Sequence, residues 1–136
     1  MQIAALIAVA RTEGAPTARP PDEDFSVPIY LRTGRSVRGV PLAEITAIRA
    51  DGDCSQIFLS NGSHLPDDRP MKWWQSVLPD ADFLRVHRSA IANMRSIETL
   101  RRRSGRQDLE LLVDNTVVPV PVSRAMAAEV RRRLGI

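Results

Sequence analysis

The segment FLRVHRSAIAN, from Phe83 to Asn93, is the part of the sequence around which the other segments are best interpreted. It sets two arginines, a histidine and a serine between apolar residues, and Val86 and Ile91 are of the types that folded proteins bury. Buried neighbours hold polar side chains in a defined orientation. The segment therefore predicts polar tips that are presented by a well-packed scaffold.

The order of the polar residues in this segment does not fit a straight strand. Successive side chains of a strand point to opposite faces, so His87 and Arg88 would diverge. A bend near Arg88 removes this conflict, and the residues that follow fit a short turn, namely Ala90, Ile91 and Asn93. A turn on a rigid β scaffold is a common place for binding residues.

Most of the remaining sequence is typical of β-hairpins. Short apolar, β-prone runs alternate with turn signals, of which Asn61-Gly62 is the strongest. Strands are predicted over residues 27–32, 35–40, 45–50, 55–60, 97–100, 109–113 and 116–120. We therefore expect a mainly β domain of about ten strands with two short helices.

Two segments have helical patterns. The first begins at Asp67-Asp68-Arg69-Pro70, because acids and a proline suit a first turn, and its apolar face carries Met71, Trp74 and Leu78. The second follows Ser123, a good N-cap residue, and ends near Gly135. Its apolar stripe is Met126, Val130 and Leu134.

The length and composition suit one domain with a short appendage. The chain has 136 residues, of which 43% are hydrophobic. Residues 1–24 form the appendage, an apolar stub at Ile3 to Ala10 followed by a flexible linker. The stub is too short to span a bilayer, and it is compatible with the end of a longer transmembrane helix or with an added terminus. The folded domain is expected over residues 25–136.

Positive charge is concentrated in the second half of the chain. Residues 1–82 carry 8 basic and 11 acidic side chains, whereas residues 83–136 carry 11 basic and 5 acidic ones. Eighteen of the 19 basic residues are arginines, which suit bidentate contacts with phosphate or guanine. The asymmetry is compatible with a polyanionic partner and equally with a solvated basic surface.

The sequence lacks the usual signatures of catalysis and metal binding. His64, His87 and Cys54 are not at metal-ligand spacings, and there is no glycine-rich phosphate loop. Asp51-Gly52-Asp53 resembles the start of a calcium loop, but the later ligands are missing, so we interpret it as a turn. We therefore expect no enzymatic activity, no cofactor and no metal. The single cysteine suits a reducing compartment.

Arg124 is placed unusually for a surface arginine. It follows the predicted N-cap Ser123, so its positive charge lies at the positive end of a helix dipole, at a cost of about 0.3–1 kcal/mol. A phosphate or a base acceptor nearby would offset this cost. The alternative is an exposed arginine that points to water.

These segments resemble the LytTR family, the LytR/AlgR-type DNA-binding domains of bacterial response regulators. The resemblance covers about residues 26–134 and is carried by FLRVHRSAIANMRSIE at Phe83–Glu98 and VPVSRAMAAEVRRRL at Val120–Leu134, with Pro41 to Ile45 upstream. It implies an elongated stack of antiparallel β-sheets that inserts loops into successive major grooves. It also implies that two protomers bind paired repeats of double-stranded DNA.

The resemblance carries site roles to particular residues. Base edges would be read from two turns and from the loop after the third strand, through Arg88, Arg124 and Ser55. Phosphates would be contacted by Lys72, Arg85 and Ser89. Supporting hydrogen bonds would come from His87, Asn93 and Ser123. Two positions depart from the family pattern, because Arg49 stands where glutamate is common and Asp53 would repel phosphate unless it accepts from a cytosine amine.

The leading interpretation is a sequence-specific transcriptional regulator of bacterial type, located in the cytoplasm or forming the cytoplasmic part of a membrane-anchored protein. The alternative is a protein-interaction module of a membrane-anchored regulator, which would meet its partner through β edges or through Trp73 and Trp74. An exposed Trp73 would favour that alternative.

Overall fold

The computed structural model describes residues 27–103, 108–115 and 118–136. The predictions for residues 1–24, and for a domain start at residue 25, therefore lie outside the described residues. Within those ranges the chain forms ten strands in three antiparallel sheets and two helices, which confirms the expected mainly β class. None of the helices in the same ranges is long and apolar enough to cross a membrane.

A five-stranded sheet lies at the centre of the fold, with the strand order β5-β4-β3-β7-β6. Its strands are β3 (Ile45–Asp51), β4 (Cys54–Leu59), β5 (His64–Asp67), β6 (Phe83–His87) and β7 (Ala90–Asn93). A hairpin of β1 (Pro28–Thr33) and β2 (Ser36–Pro41) forms the second sheet. The third contains β8 (Ile97–Arg102), β9 (Leu109–Val113) and β10 (Val120–Val122) in the order β10-β9-β8. The helices are α1 (Met71–Val77) and α2 (Ala127–Leu134).

Each face of the central sheet contributes to a separate hydrophobic core. The α1-side core joins the sheet to the β1–β2 hairpin and to α1, and its members include Leu31, Val40, Ile48, Ile57, Trp74 and Ile91. The α2-side core joins the sheet to the three-stranded sheet and to α2, and its members include Ala47, Val86, Leu111, Val120, Val122 and Val130. The apolar stripe predicted for the second helix is thus on the packed side of α2.

Strand β7 shows how the sequence divides the two cores. Ile91 packs into the α1-side core, while Ala90 and Ala92 on the opposite face belong to the α2-side core. All three are almost fully buried. Alanines leave little side chain between the sheets, so the three-stranded sheet can approach the central one closely.

The bend predicted near Arg88 is a two-residue turn, Arg88-Ser89, that joins β6 to β7. The prediction that Ala90 to Asn93 form a short turn is wrong. These residues are strand β7, which is paired with β3 on one side and β6 on the other. A buried segment satisfies its backbone groups best in this central position of a sheet.

The first helix begins later than predicted, because Asp67 belongs to strand β5 and the helix starts at Met71 after Pro70. The Asp67 carboxylate accepts hydrogen bonds from the Arg32 amide at 2.7 Å and from the Arg69 side chain at 2.8 and 2.9 Å. Burial raises the pKa of Asp67, but these hydrogen bonds outweigh burial and the net pKa is below its ordinary value. Asp67 thus fastens the β1–β2 hairpin instead of opening a helix.

The C-terminal segment also differs in detail from the prediction. The strand predicted over residues 116–120 is observed at Val120–Val122, where Val120 and Val122 are buried; residues 116 and 117 lie outside the described ranges. Ser123 precedes a short 3-10 turn, Arg124–Met126, and its side chain caps nothing. The helix proper is Ala127–Leu134, and it is followed by Gly135, whose φ of 77° is the left-handed conformation expected after a helix C-terminus.

Candidate nucleic-acid interface

Three segments singled out from the sequence meet at one end of the central sheet. The amide of Ala50, near the end of β3, donates to the carbonyl oxygen of Ser89 at 2.9 Å. The amide of Ser123 donates to the carbonyl oxygen of Val86 at 2.8 Å. These backbone bonds hold the β3–β4 turn (Gly52-Asp53), the β6–β7 turn (Arg88-Ser89) and Ser123-Arg124 side by side. We call these three segments together the turn end.

The first turn of α1 lies against the turn end. The Ser55 hydroxyl, at the start of β4, donates to the carbonyl oxygen of Arg69 at 2.8 Å, just before the helix. Lys72 is exposed in the first turn of α1. One turn further, the Gln75 side chain accepts from Nη1 of Arg85 at 2.8 Å. The predicted phosphate contact Lys72 is thus on the helix that borders the two hairpin turns.

The β6–β7 turn is held rigidly, and one side chain in it is free. The amide of Ser89 donates to Nδ1 of His87 at 3.1 Å, and the Ser89 hydroxyl lies 2.8 Å from the same nitrogen. Nη2 of Arg85 donates to the carbonyl oxygen of Arg88 at 2.5 Å. The Arg88 side chain is exposed, and no described residue forms a hydrogen bond or an ion pair with it. Its guanidinium is available to an external acceptor.

Arg124 presents a second exposed guanidinium beside this turn. Its side chain is 84% exposed, and its nearest anionic partner is Asp108, with Nε 3.4 Å from the carboxylate. The residue lies in the 3-10 turn before α2 and not in the first turn of the helix, so the helix-dipole cost inferred from the sequence does not apply to it. A contact this long and exposed contributes little, so an acceptor such as DNA can compete for Arg124.

Positive charge around His87 is denser than the sequence suggested. Burial lowers the pKa of His87, and the charges of Arg88, Arg49 and Arg103 lower the pKa further. A neutral imidazole also suits the observed bonding, because Nδ1 must accept the hydrogen bond from the Ser89 amide. Positive charge is therefore concentrated around His87 and the β6–β7 turn, which favours a polyanion there.

Arg49 and Arg103 are members of this cluster that were not assigned to the site from the sequence. Nη1 of Arg49 donates to the carbonyl oxygen of Pro119 at 3.1 Å, its Nε is buried without a partner, and burial lowers its pKa. Arg103 ends the basic run Arg101-Arg102-Arg103, a signal that was available in the sequence. Only the fold brings these cations to His87.

Ser55 does not occupy the position predicted for a base contact. It is fully buried, its hydroxyl donates to the carbonyl oxygen of Arg69, and it accepts from Nε1 of Trp74 at 2.9 Å. The strand pleat turns Ser55 inward while its neighbour Cys54 is exposed. Asp53 and Cys54 are the parts of this loop that a ligand could reach.

The remaining predicted site residues divide into two groups. Ser89 and Arg85 are half-buried in or beside the β6–β7 turn. Asn93 is buried, donates from Nδ2 to the carbonyl oxygen of Ile45 at 2.9 Å and accepts from the Arg95 amide at 3.0 Å. Asn93 thus ties β7 to β3, which is a structural task, and its role in supporting DNA contacts stays a prediction.

The tryptophan pair does not provide the exposed surface that the protein-interaction alternative requires. Trp74 is fully buried, and Trp73 is half-buried with the guanidinium carbon of Arg69 3.7 Å above its ring. The two indoles meet edge to face with centroids 4.9 Å apart. In the part of the chain that the structure describes, no group of three or more His, Cys, Asp or Glu residues is arranged to hold a metal ion.

A mainly β domain with exposed arginines on tight turns at one end of a sheet has the features of a nucleic-acid-binding domain. The family model described as the LytTr DNA-binding domain matches residues 35–135, and the chain belongs to this family. This match confirms the family suspected from the sequence, which is a family of DNA-binding domains.

Two relatives show the extent of the similarity. The chain is 29% identical over 127 residues to the CO-responsive transcriptional regulator RcoM of Rhodospirillum rubrum, covering 92% of this chain and 52% of the relative. The chain thus spans about half the length of that protein. The fold is also that of a LytTr DNA-binding domain from a Bacillus cereus response regulator, with a TM-score of 0.67, 24% identity, and 81% and 98% of the two chains covered.

Proposed function

We propose that this domain recognises specific sequences of double-stranded DNA by placing loops of the turn end in successive major grooves. The observation that carries the proposal is the β6–β7 turn, in which the backbone is held by three hydrogen bonds while the Arg88 guanidinium is exposed and unpaired among the described residues. A turn with a fixed backbone and one unpaired guanidinium, whose N–H donors lie in one plane, is suited to bidentate recognition of guanine O6 and N7.

Arg124 supplies the second base contact in this proposal. The hydrogen bond from the Ser123 amide to Val86 keeps its segment adjacent to the β6–β7 turn. The two arginine side chains must therefore diverge in order to reach successive major grooves, as the family resemblance implies. If the bases read by Arg88 and by Arg124 lay within the same half-turn of DNA, both arginines would instead occupy one groove.

Phosphate contacts set the orientation of the domain on DNA. Lys72 is exposed on α1, and the Ser89 hydroxyl lies in the β6–β7 turn beside Arg88. Both flank the proposed base contacts and carry donors that phosphate oxygens accept. Asp53 in the β3–β4 turn can take part only by accepting from a cytosine amine.

Binding by two protomers to paired repeats, and a regulatory role in transcription, complete the proposal. The curated relative is a transcriptional regulator about twice as long as the region it shares with this chain. We infer that residues 25–136 are the DNA-reading unit and that residues 1–24 connect it to a membrane segment or to another part of a regulator. Binding stoichiometry on duplexes with one and two repeats tests the two-protomer arrangement, and DNA binding by residues 25–136 alone tests whether they are the DNA-reading unit.

Selection of duplexes from a random library by the full chain tests the central claim. We expect a recovered motif with spaced repeats, and Arg88→Ala should blur the motif at one base of each repeat. No enrichment over random sequence at low salt would contradict sequence-specific recognition.

A further inference from the structure

Arg85 has contacts that differ from those expected of a phosphate ligand. It lies in β6 opposite Ile91, a member of the α1-side core, and is half-buried. Nη1 donates to the Gln75 side chain at 2.8 Å and Nη2 donates to the carbonyl oxygen of Arg88 at 2.5 Å. Both terminal nitrogens are thus engaged within the protein, one on α1 and one on the β6–β7 turn.

The third nitrogen of the guanidinium points to the same conclusion. Nε of Arg85 is buried and has no hydrogen-bond partner. Each terminal nitrogen keeps one further N–H, but a bidentate phosphate contact that includes Nε would require this buried group to be exposed. The guanidinium therefore links α1 to the β6–β7 turn within the protein, instead of presenting all of its donors to solvent.

We propose that Arg85 is a positioning residue that sets the direction of the Arg88 side chain for base reading, and that it is not a phosphate ligand. The carbonyl that it holds belongs to Arg88 itself, so the peptide plane following the reading residue is fixed. Arg85 also links that plane to α1, the helix that carries Lys72, through Gln75. This inference rests on the proposed function, since it assigns a role within DNA reading.

A positioning residue and a phosphate ligand have different signatures in binding experiments. Loss of one phosphate contact weakens binding to all sequences and reduces the slope of log K against log salt by about 0.9. Loss of the Arg88 orientation lowers discrimination between target and non-target duplexes and leaves that slope unchanged. Lysine retains the charge but lacks the planar fork, so Arg85→Lys separates the two roles.

The experiment compares Arg85→Lys, Arg85→Gln, Gln75→Leu and the control Lys72→Ala in the full chain. The dissociation constants of the duplex selected by the parent and of a scrambled duplex of equal length are measured from about 50 to 200 mM salt. For Arg85→Lys and for Arg85→Gln, the dissociation constant of the scrambled duplex divided by that of the selected duplex should fall roughly tenfold. The dependence of both constants on salt should stay that of the parent. Gln75→Leu should reduce the same ratio by a smaller factor. Lys72→Ala should lower the salt slope and leave the ratio unchanged.

A second measurement needs no DNA. Amide hydrogen exchange of Ser89 in the free protein should accelerate roughly tenfold in Arg85→Lys, because the turn loses the hydrogen bond from Arg85 to the Arg88 carbonyl oxygen. The proposal is overturned if Arg85→Lys discriminates like the parent while Arg85→Gln lowers the slope on both duplexes, or if the Ser89 amide exchanges at the parental rate. If the Arg85 variants do not fold, parental discrimination by Gln75→Leu overturns it. Failure of the parent to select any duplex would instead reject the proposed function and leave the exchange result interpretable.

Discussion

The main-chain amide of Ser89 donates a hydrogen bond to Nδ1 of His87 at 3.1 Å. This bond closes the β6–β7 turn over its own strand and requires a His87 ring whose Nδ1 carries no proton. The state of one imidazole is therefore coupled to the shape of the turn that presents Arg88.

The stability of the domain should fall as His87 becomes protonated. Burial and neighbouring arginines hold the pKa of His87 below its ordinary value, so the unfolded chain binds the proton more readily than the folded one. The contribution of neutral His87 is complete above the unfolded pKa of about 6.5 and is lost as pH falls toward the folded pKa. Thermal unfolding at pH near 7.5 and 5.5 should show a larger decrease for the parent than for His87→Asn.

The exposed His64 provides the matched control for this pH experiment. The variant His64→Asn should keep the decrease of the parent, since His64 lies on β5 and takes no part in the turn. Equal decreases for the parent and His87→Asn would show that His87 does not titrate as the structure predicts.

Arg88→Ala and Lys72→Ala should weaken DNA binding in different ways. We expect Arg88→Ala to cost about 1–3 kcal/mol on the selected duplex and to relax specificity at one position, because a bidentate base contact is lost. Lys72→Ala should weaken all sequences similarly and reduce the salt slope by about one. Titrations of selected and scrambled duplexes at several salt concentrations measure both effects. Parental binding by Arg88→Ala would remove the β6–β7 turn from the reading surface.

Ser55→Ala should reduce stability without changing DNA specificity. Its hydroxyl accepts from Nε1 of the buried Trp74 and donates to the carbonyl oxygen of Arg69, so the variant leaves the buried indole donor unpaired. The expected cost in the free energy of unfolding is about 1–3 kcal/mol. Chemical denaturation measures this cost, with the exposed neighbour Cys54→Ala as a control that should be nearly neutral. A change in the selected DNA motif for Ser55→Ala would restore the base contact originally predicted.

Enlarging Ala92 should separate the two sheets that meet on the α2-side core. Ala92 is fully buried on the face of β7 that contacts this core, and overpacking of a close-packed site costs about 1–3 kcal/mol. Ala92→Leu should therefore unfold at lower denaturant concentration than the parent. The substitution Val118→Leu, at an exposed position, should change stability little. Equal midpoints for Ala92→Leu and the parent would show that the packing around Ala92 accommodates a larger side chain.

The hydrophobic pattern and turn signals of the sequence determined most of the elements of this fold. Apolar runs separated by turn residues such as Asn61-Gly62 are sufficient for a mainly β class, since local chemistry decides where a strand can turn. Buried apolar residues around Arg88 likewise predicted a bent, anchored segment. The residues HRS and VSR then indicated the family, because those side chains occur in a specific order and spacing.

Only the tertiary structure decided which of the polar residues face outward. Ser55 is one residue from the exposed Cys54, and the pleat alone sends it into the core. The sequence assigned Arg85 to phosphate, and its contacts with Gln75 on α1 and with the Arg88 carbonyl in the β6–β7 turn are visible only in the fold. Arg49 and Arg103 lie far apart in the chain and surround His87 only because β3 and β8 belong to sheets packed against each other. Long-range packing, which no local pattern encodes, sets these positions.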